Sequence, residues 1–135
     1  MKKFKYFSIL LTIVLVSFSL KAQEPEDQAL SQIELEYTYS DGGTVVLTIN
    51  EKLSYRWTAG SFKGVAVSDR IYRSRRIGDE MYLINWHDKE NKNFVSLIID
   101  LKNQKVYGSG LIAYETENET SGLDEATINR TTWLK

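Results

Sequence analysis

The chain has 135 residues, with 17 Lys and Arg against 18 Asp and Glu, a net charge of −1, no cysteine and a single histidine. Disulfide staples are thereby excluded, and a zinc or copper centre, which favours thiolate and imidazole ligands, has almost nothing to draw on. No basic surplus is available to grip phosphates, so nucleic acid is not expected as a partner.

Residues 1–22 read as a signal peptide. Lys2, Lys3 and Lys5 form a positive leading region, Ile9 to Leu20 an apolar stretch, and Ala22 a small residue before Gln23. The apolar stretch is short for a hydrocarbon core of ~30 Å, so cleavage is expected rather than anchoring. Lys21 leaves with the other three lysines. The remaining residues, 23–135, then hold 13 basic against 18 acidic side chains, a net charge of −5. With no cysteine to carry a lipid, the expected address is the periplasm or the medium. Residues 23–31 contain the only proline and read as a flexible leader. The rest, 32–135, is long enough for one domain with one core.

From Ile33 onward the pattern is that of β-strands. Ile33, Leu35, Tyr37 and Tyr39 alternate with polar residues, as in a half-buried strand. Asp41-Gly42-Gly43 turns the chain, and Val45, Leu47 and Ile49 alternate after it. Asn50-Glu51-Lys52 is a second turn, followed by Leu53, Tyr55, Trp57 and Ala59 on one face. A fourth strand spans about 63–77, with Gly60 and Gly64 bracketing a bend and Arg70, Arg73, Arg75 and Arg76 forming a basic patch. Tyr82, Ile84, Trp86 and Asp88 then share a face. After the polar turn 88–93 comes an apolar strand, 94–100, and after 102–104 another, 106–114, containing Gly108 and Gly110. An acidic loop, 115–125, precedes a last strand, about 126–133. The loop fits no EF-hand spacing, so a solvated loop is expected there rather than calcium. The expectation is an all-β chain of eight antiparallel strands. Short turns favour an up-and-down barrel over a sandwich, and barrels of this size can hold one small ligand.

Several side chains stand out on the predicted inner face. Tyr37 and Tyr39 point the same way and serve either as core aromatics or as pocket walls. Tyr55, Trp57, Tyr82 and Trp86 carry the same two readings, because in a barrel core and pocket lining are one surface. Asp88 either continues the inward face as a buried carboxylate suited to proton transfer or opens the turn, where Asp is common. His87 should point outward. The arginines read best as edge-strand charge that prevents edge pairing.

The segments 35–42 (LEYTYSDG), 54–60 (SYRWTAG), 82–88 (YLINWHD), 95–100 (VSLIID) and 105–108 (KVYG) resemble the MoaF-like proteins and the phenolic acid decarboxylases, which share a lipocalin-like (calycin) barrel. The likeness covers roughly residues 33–114. It implies an eight-stranded antiparallel lipocalin-like barrel over 32–135 with no cofactor, and the composition leaves no metal expected. In the decarboxylases two tyrosines hold the substrate carboxylate, helped by an arginine after the glycine-rich bend and a glutamate two residues after the strand tryptophan. Tyr37 and Tyr39 match the tyrosines. The arginine position falls on Val65, and the glutamate is shortened to Asp88. The chain also lacks those enzymes' longer C-terminal part.

The leading expectation is therefore an exported binding barrel for a small aromatic or apolar molecule, one that could bear a carboxylate. Tyr37, Tyr39, Tyr55, Trp57, Tyr82, Trp86 and Asp88 would line its pocket. The alternative is a cofactor-free decarboxylase of phenolic acids in which Tyr37, Tyr39 and Asp88 act on the substrate. A third reading is an exported interaction domain with a filled core. The implied partner is a small molecule, with neither nucleic acid nor, after cleavage, a membrane involved. Nothing in the sequence sets an oligomeric state.

Overall fold

A computed structural model describes residues 29–135. The segment read as a signal peptide, and residues 23–28 of the leader, lie outside the described residues. Nine strands follow one another: β1 (Ile33–Tyr39), β2 (Thr44–Ile49), β3 (Leu53–Ala59), β4 (Ala66–Arg70), β5 (Tyr72–Gly78), β6 (Met81–Asp88), β7 (Asn93–Asp100), β8 (Lys105–Ile112) and β9 (Thr120–Trp133). All pairings are antiparallel and run in the order β4-β3-β2-β1-β9-β8-β7-β6-β5. The last strand returns to pair with the first, Leu35 opposite Thr131 and Tyr37 opposite Ile128, with a bulge at Asn129. The result is an up-and-down meander curled into a nearly closed barrel.

The expected count of eight is corrected to nine, and the reason is local. The segment read as one fourth strand bends after Asp69, which adopts φ 60°. Its first half pairs with β3 and its second half with β6. Ile71, at the break, is 82 % exposed. One kinked segment thus supplies both edges of the sheet. Past the Tyr72–Trp86 pair, β6 has no ladder partner on that side, although β4 lies near it.

The last strand also begins earlier than expected, at Thr120 rather than near Ala126. Residues 120–125 of the supposed acidic loop pair with β8, Asp124 opposite Gly108 and Gly122 opposite Gly110. Alternation puts Gly122 and Asp124 on the same face as Ala126 and Ile128.

One end of the barrel is packed solid. Ile33, Leu35, Leu47, Ile49, Leu53, Ile84, Leu97, Ile99 and Val106 are all essentially buried, each stabilising the fold by about 1.5–3 kcal/mol. Leu30, at the end of the leader, joins this cluster and donates its N–H to the Ser74 Oγ at 2.9 Å. The Tyr72 hydroxyl closes the same end by donating to the Asn50 carbonyl at 2.7 Å.

Two of the hairpin turns share one construction. Asp88 ends β6 and Asp100 ends β7, and each carboxylate accepts hydrogen bonds from the backbone N–H and side-chain amide of the asparagine three residues on, Asn91 and Asn103. The following Lys92 and Gln104 both lie at positive φ, 51° and 55°, as a type I turn with a bulge requires. The Asn103 side-chain and backbone donors hold the Asp100 carboxyl below the usual range.

Candidate functional site

The other end of the barrel is hollow. A cavity of about 380 Å³ opens there, walled by Tyr37 and Tyr39 from β1, Tyr55 and Trp57 from β3, Trp86 from β6, and Val95 and Leu97 from β7. Gly108 and Gly110 of β8 and Gly122 of β9 line it between β1 and β7. The three positions carry no side chain: Tyr39 and Leu97 reach over Gly108 and Ile112 over Gly110, while Gly122 opens onto empty space. A Cβ on Gly108 would lie 3.2 Å from the Tyr39 hydroxyl and 3.3 Å from Leu97 Cδ2, while one on Gly122 would meet nothing within 4 Å. The volume lies within the range of small-molecule pockets, about 300–1,000 Å³.

The aromatic rings are ordered against each other. Tyr39 stacks on Trp57 with centroids 5.7 Å apart and planes 21° from parallel. Tyr37 meets Tyr39 edge-on at 5.6 Å, and Phe62 extends the surface from Trp57 at 5.1 Å. Trp57 covers Gly43, where a Cβ would come within 2.9 Å of the indole. This explains the glycine in the first turn better than turn geometry alone does. Gly60, at φ 84°, lies so close that its Cβ would stand 2.6 Å from Gly43 Cα. The β1–β2 and β3–β4 turns are thereby locked together beside the cavity mouth.

Burial pushes the Tyr37 hydroxyl well above its ordinary value of 10.0, with the neighbouring Tyr39 adding to the rise. Tyr39 is raised by burial too, and by the charges of Asp124 and Asp41, against a lowering contribution from the Tyr37 hydroxyl. Tyr55 is raised by burial and by Asp88, with Arg70 acting the other way. The phenols are therefore neutral hydrogen-bonding groups at any ordinary pH. The Trp86 indole N–H is buried with no acceptor among the described residues.

Five of the seven side chains singled out for a pocket thus come together around the cavity: Tyr37, Tyr39, Tyr55, Trp57 and Trp86. Two do not line it. Tyr82 sits lower on β6, opposite Ile99, and packs against the solid end. Asp88 belongs to β6 and is 1 % exposed, so it is buried and also opens a turn, which joins the two readings drawn from sequence. Its carboxylate does not face the cavity. It pairs with the Arg70 guanidinium at 3.2 Å, across the stretch where β6 lacks a ladder partner. Arg70 also meets Glu90 at 3.0 Å and the Ser68 carbonyl at 3.2 Å. The pair works as a latch on the barrel corner. Val65, at the position where the resemblance places an arginine, is exposed at the cavity mouth. His87 points outward as expected, with Nε2 2.7 Å from the Tyr114 hydroxyl.

Several lining residues escaped the sequence reading. Phe62, Val65, Ile112 and Leu123 form an apolar rim, all of them substantially exposed. Asp41 and Asp124 bring carboxylates to the lining. The available clue was alternation: counting back from Ala126 by twos reaches Asp124 and Gly122. Assigning 115–125 to a loop hid it. No group of three or more His, Asp or Glu side chains suited to a metal ion occurs among the described residues.

This architecture defines an antiparallel barrel with one packed end and one hollow end. No protein-family model and no curated protein matches the chain. Among solved structures it is similar to a crystal structure from Burkholderia vietnamiensis, described provisionally as a beta-lactamase. The TM-score is 0.65 at 18 % identity, over 76 % of this chain and 94 % of that one. At that identity the likeness is one of fold.

Proposed function

We propose that this protein is an exported, lipocalin-like binding barrel of the MoaF-like kind that takes a small aromatic or apolar molecule into the cavity above its packed core. One observation carries the reading: aromatic residues and glycines together line about 380 Å³ of space, while the opposite end of the same barrel is filled. A flat ligand entering past Phe62 and Leu123 would pack against the aromatic rings that line the cavity. Aromatic contacts of that kind contribute about 0.5–1.5 kcal/mol each beyond the area they bury.

The decarboxylase alternative is less well supported. It calls for a carboxylate to move a proton at the substrate, but Asp88 is held by Arg70 and Asn91 outside the lining. Lactam hydrolysis, suggested by the description of the structural neighbour, gains little either. Ser109 lines the cavity, but no lysine or histidine accompanies it there to activate its hydroxyl.

The test is quenching of tryptophan fluorescence by a panel of small aromatic compounds, in the protein and in Gly108→Val. The added side chain would press on Tyr39 and Leu97 and occupy the cavity. Loss of at least about tenfold in affinity, close to 1.4 kcal/mol, is expected with the circular dichroism spectrum unchanged. Equal binding by both proteins would place the ligand elsewhere.

A further inference from the structure

The charge of the cavity narrows the ligand class. The lining includes no lysine, arginine or histidine. Its ionised groups are Asp41 and Asp124. Asp41 uses one carboxylate oxygen to accept the Gly43 N–H at 2.9 Å, and Asp124 uses one to accept the Glu125 N–H at 2.8 Å. Neither meets a cation among the described residues. Their fields converge, since both bear on the Tyr39 hydroxyl. Arg70, whose charge bears on Tyr55, is already committed to Asp88 and Glu90.

An anionic ligand would therefore leave water for a site with two carboxylates and no counter-charge, where burying an unpaired charge is costly. A cation meets the opposite conditions. The faces of tyrosine and tryptophan rings carry negative quadrupole potential and attract organic ammonium groups, most strongly where water is displaced. Tyr37, Tyr39, Tyr55, Trp57 and Trp86 all line the cavity, where Tyr39 and Trp57 stack on each other and Tyr37 meets Tyr39 edge-on. The wide apolar rim suits a bulky, weakly hydrated cation better than a small metal ion.

We infer that the cavity selects an organic cation: an alkylated ammonium group carrying an aromatic or apolar body, held by Tyr39 and Trp57 with Asp41 and Asp124 as counter-charges. The inference rests on the binding reading above and departs from the carboxylate-bearing ligand that the family resemblance implies.

The experiment compares three ligands of nearly one shape on the full chain by fluorescence titration: benzyltrimethylammonium, its neutral isostere neopentylbenzene, and the anion 3-phenylpropanoate. The cation is expected to bind at least about tenfold more tightly than either of the others. Raising the salt concentration should weaken the cation alone, through screening of the two aspartates. Asp124→Asn and Asp41→Asn keep the shape and the accepted hydrogen bonds. Each should cost the cation about threefold or more while leaving the neutral isostere unchanged. If the isostere or the anion binds as tightly as the cation, charge selection is refuted while the binding barrel stands. If none of the three binds, both readings fall. If the cation leads but neither aspartate variant weakens it, the assigned counter-charges are wrong.

Discussion

Removing the arginine at the barrel corner should destabilise the fold far more than neutralising its partner. The Asp88 side chain is wholly buried, whereas that of Arg70 is 19 % exposed and has Glu90 and the Ser68 carbonyl as further acceptors. In Arg70→Met the aliphatic stem is kept and the charge is lost, so the Asp88 carboxylate is left in the interior with only Asn91 to support it. Stranding a buried charge in this way costs about 3–5 kcal/mol. With a urea dependence of about 1–3 kcal/mol per molar for a domain of this size, the unfolding midpoint should fall by roughly 2 M. Asp88→Asn leaves an acceptor for Asn91 and a cation that can turn to Glu90 and water, so its cost should be about 1.5–3 kcal/mol. The double variant Arg70→Met/Asp88→Asn strands no charge, and it should be more stable than the sum of the single effects by about 1–3 kcal/mol. Equilibrium urea unfolding of the four proteins measures all of this. A cost below about 1 kcal/mol for Arg70→Met, or strict additivity, would show that the pair is solvated and that the latch argument is wrong. The same proteins separate binder from lyase. Asp88→Asn should hold ligand affinity within about twofold, a change of ~0.4 kcal/mol, whereas a proton-transfer role predicts turnover in the parent that this variant loses.

Three further outcomes follow from the geometry. Because burial raises the Tyr37 and Tyr39 hydroxyls above 10.0, ionisation is harder in the folded chain than in the unfolded one. Their contribution is complete below pH ~10 and is lost as the pH rises through their folded values, so thermal unfolding from about pH 8 to 11 should show a steep alkaline fall, flatter in Tyr37→Phe. Gly60→Ala should destabilise by about 2 kcal/mol or more, since it strains a residue at φ 84° and drives a Cβ to 2.6 Å from Gly43 Cα; an unchanged urea midpoint would mean that the two turns are not locked. Lys92→Gly and Gln104→Gly relieve positive φ in exposed turns and should each stabilise by about 0.5–1 kcal/mol in the same assay, a loss of stability counting against the turn assignment.

Alternation alone marked the strands and their inward faces. Ile33, Leu35, Tyr37 and Tyr39 share one face because successive side chains in a strand point to opposite sides, and this holds whatever the strand packs against. Five of the seven proposed lining residues were legible in this way. The fourth strand and the acidic loop were misread for related reasons. A bend at one left-handed residue, Asp69, leaves no mark on hydropathy, and neither does a strand such as 120–125, whose inward positions are glycine and aspartate facing an empty space. The purpose of Asp88 was likewise out of reach, because its partner lies eighteen residues earlier on a strand that reaches it only when the barrel curls.

The sequence by itself determined an all-β chain, the turns that make it a meander, and an aromatic inner surface, since these depend on neighbours one to four residues apart. Only the tertiary structure decided which end is hollow, that Arg70 is consumed by Asp88, and that Asp41 and Asp124 line the same cavity as Trp57. Those facts depend on the pairing of β1 with β9 and on the stagger of strands around the barrel, and such long-range register has no local signature in the chain.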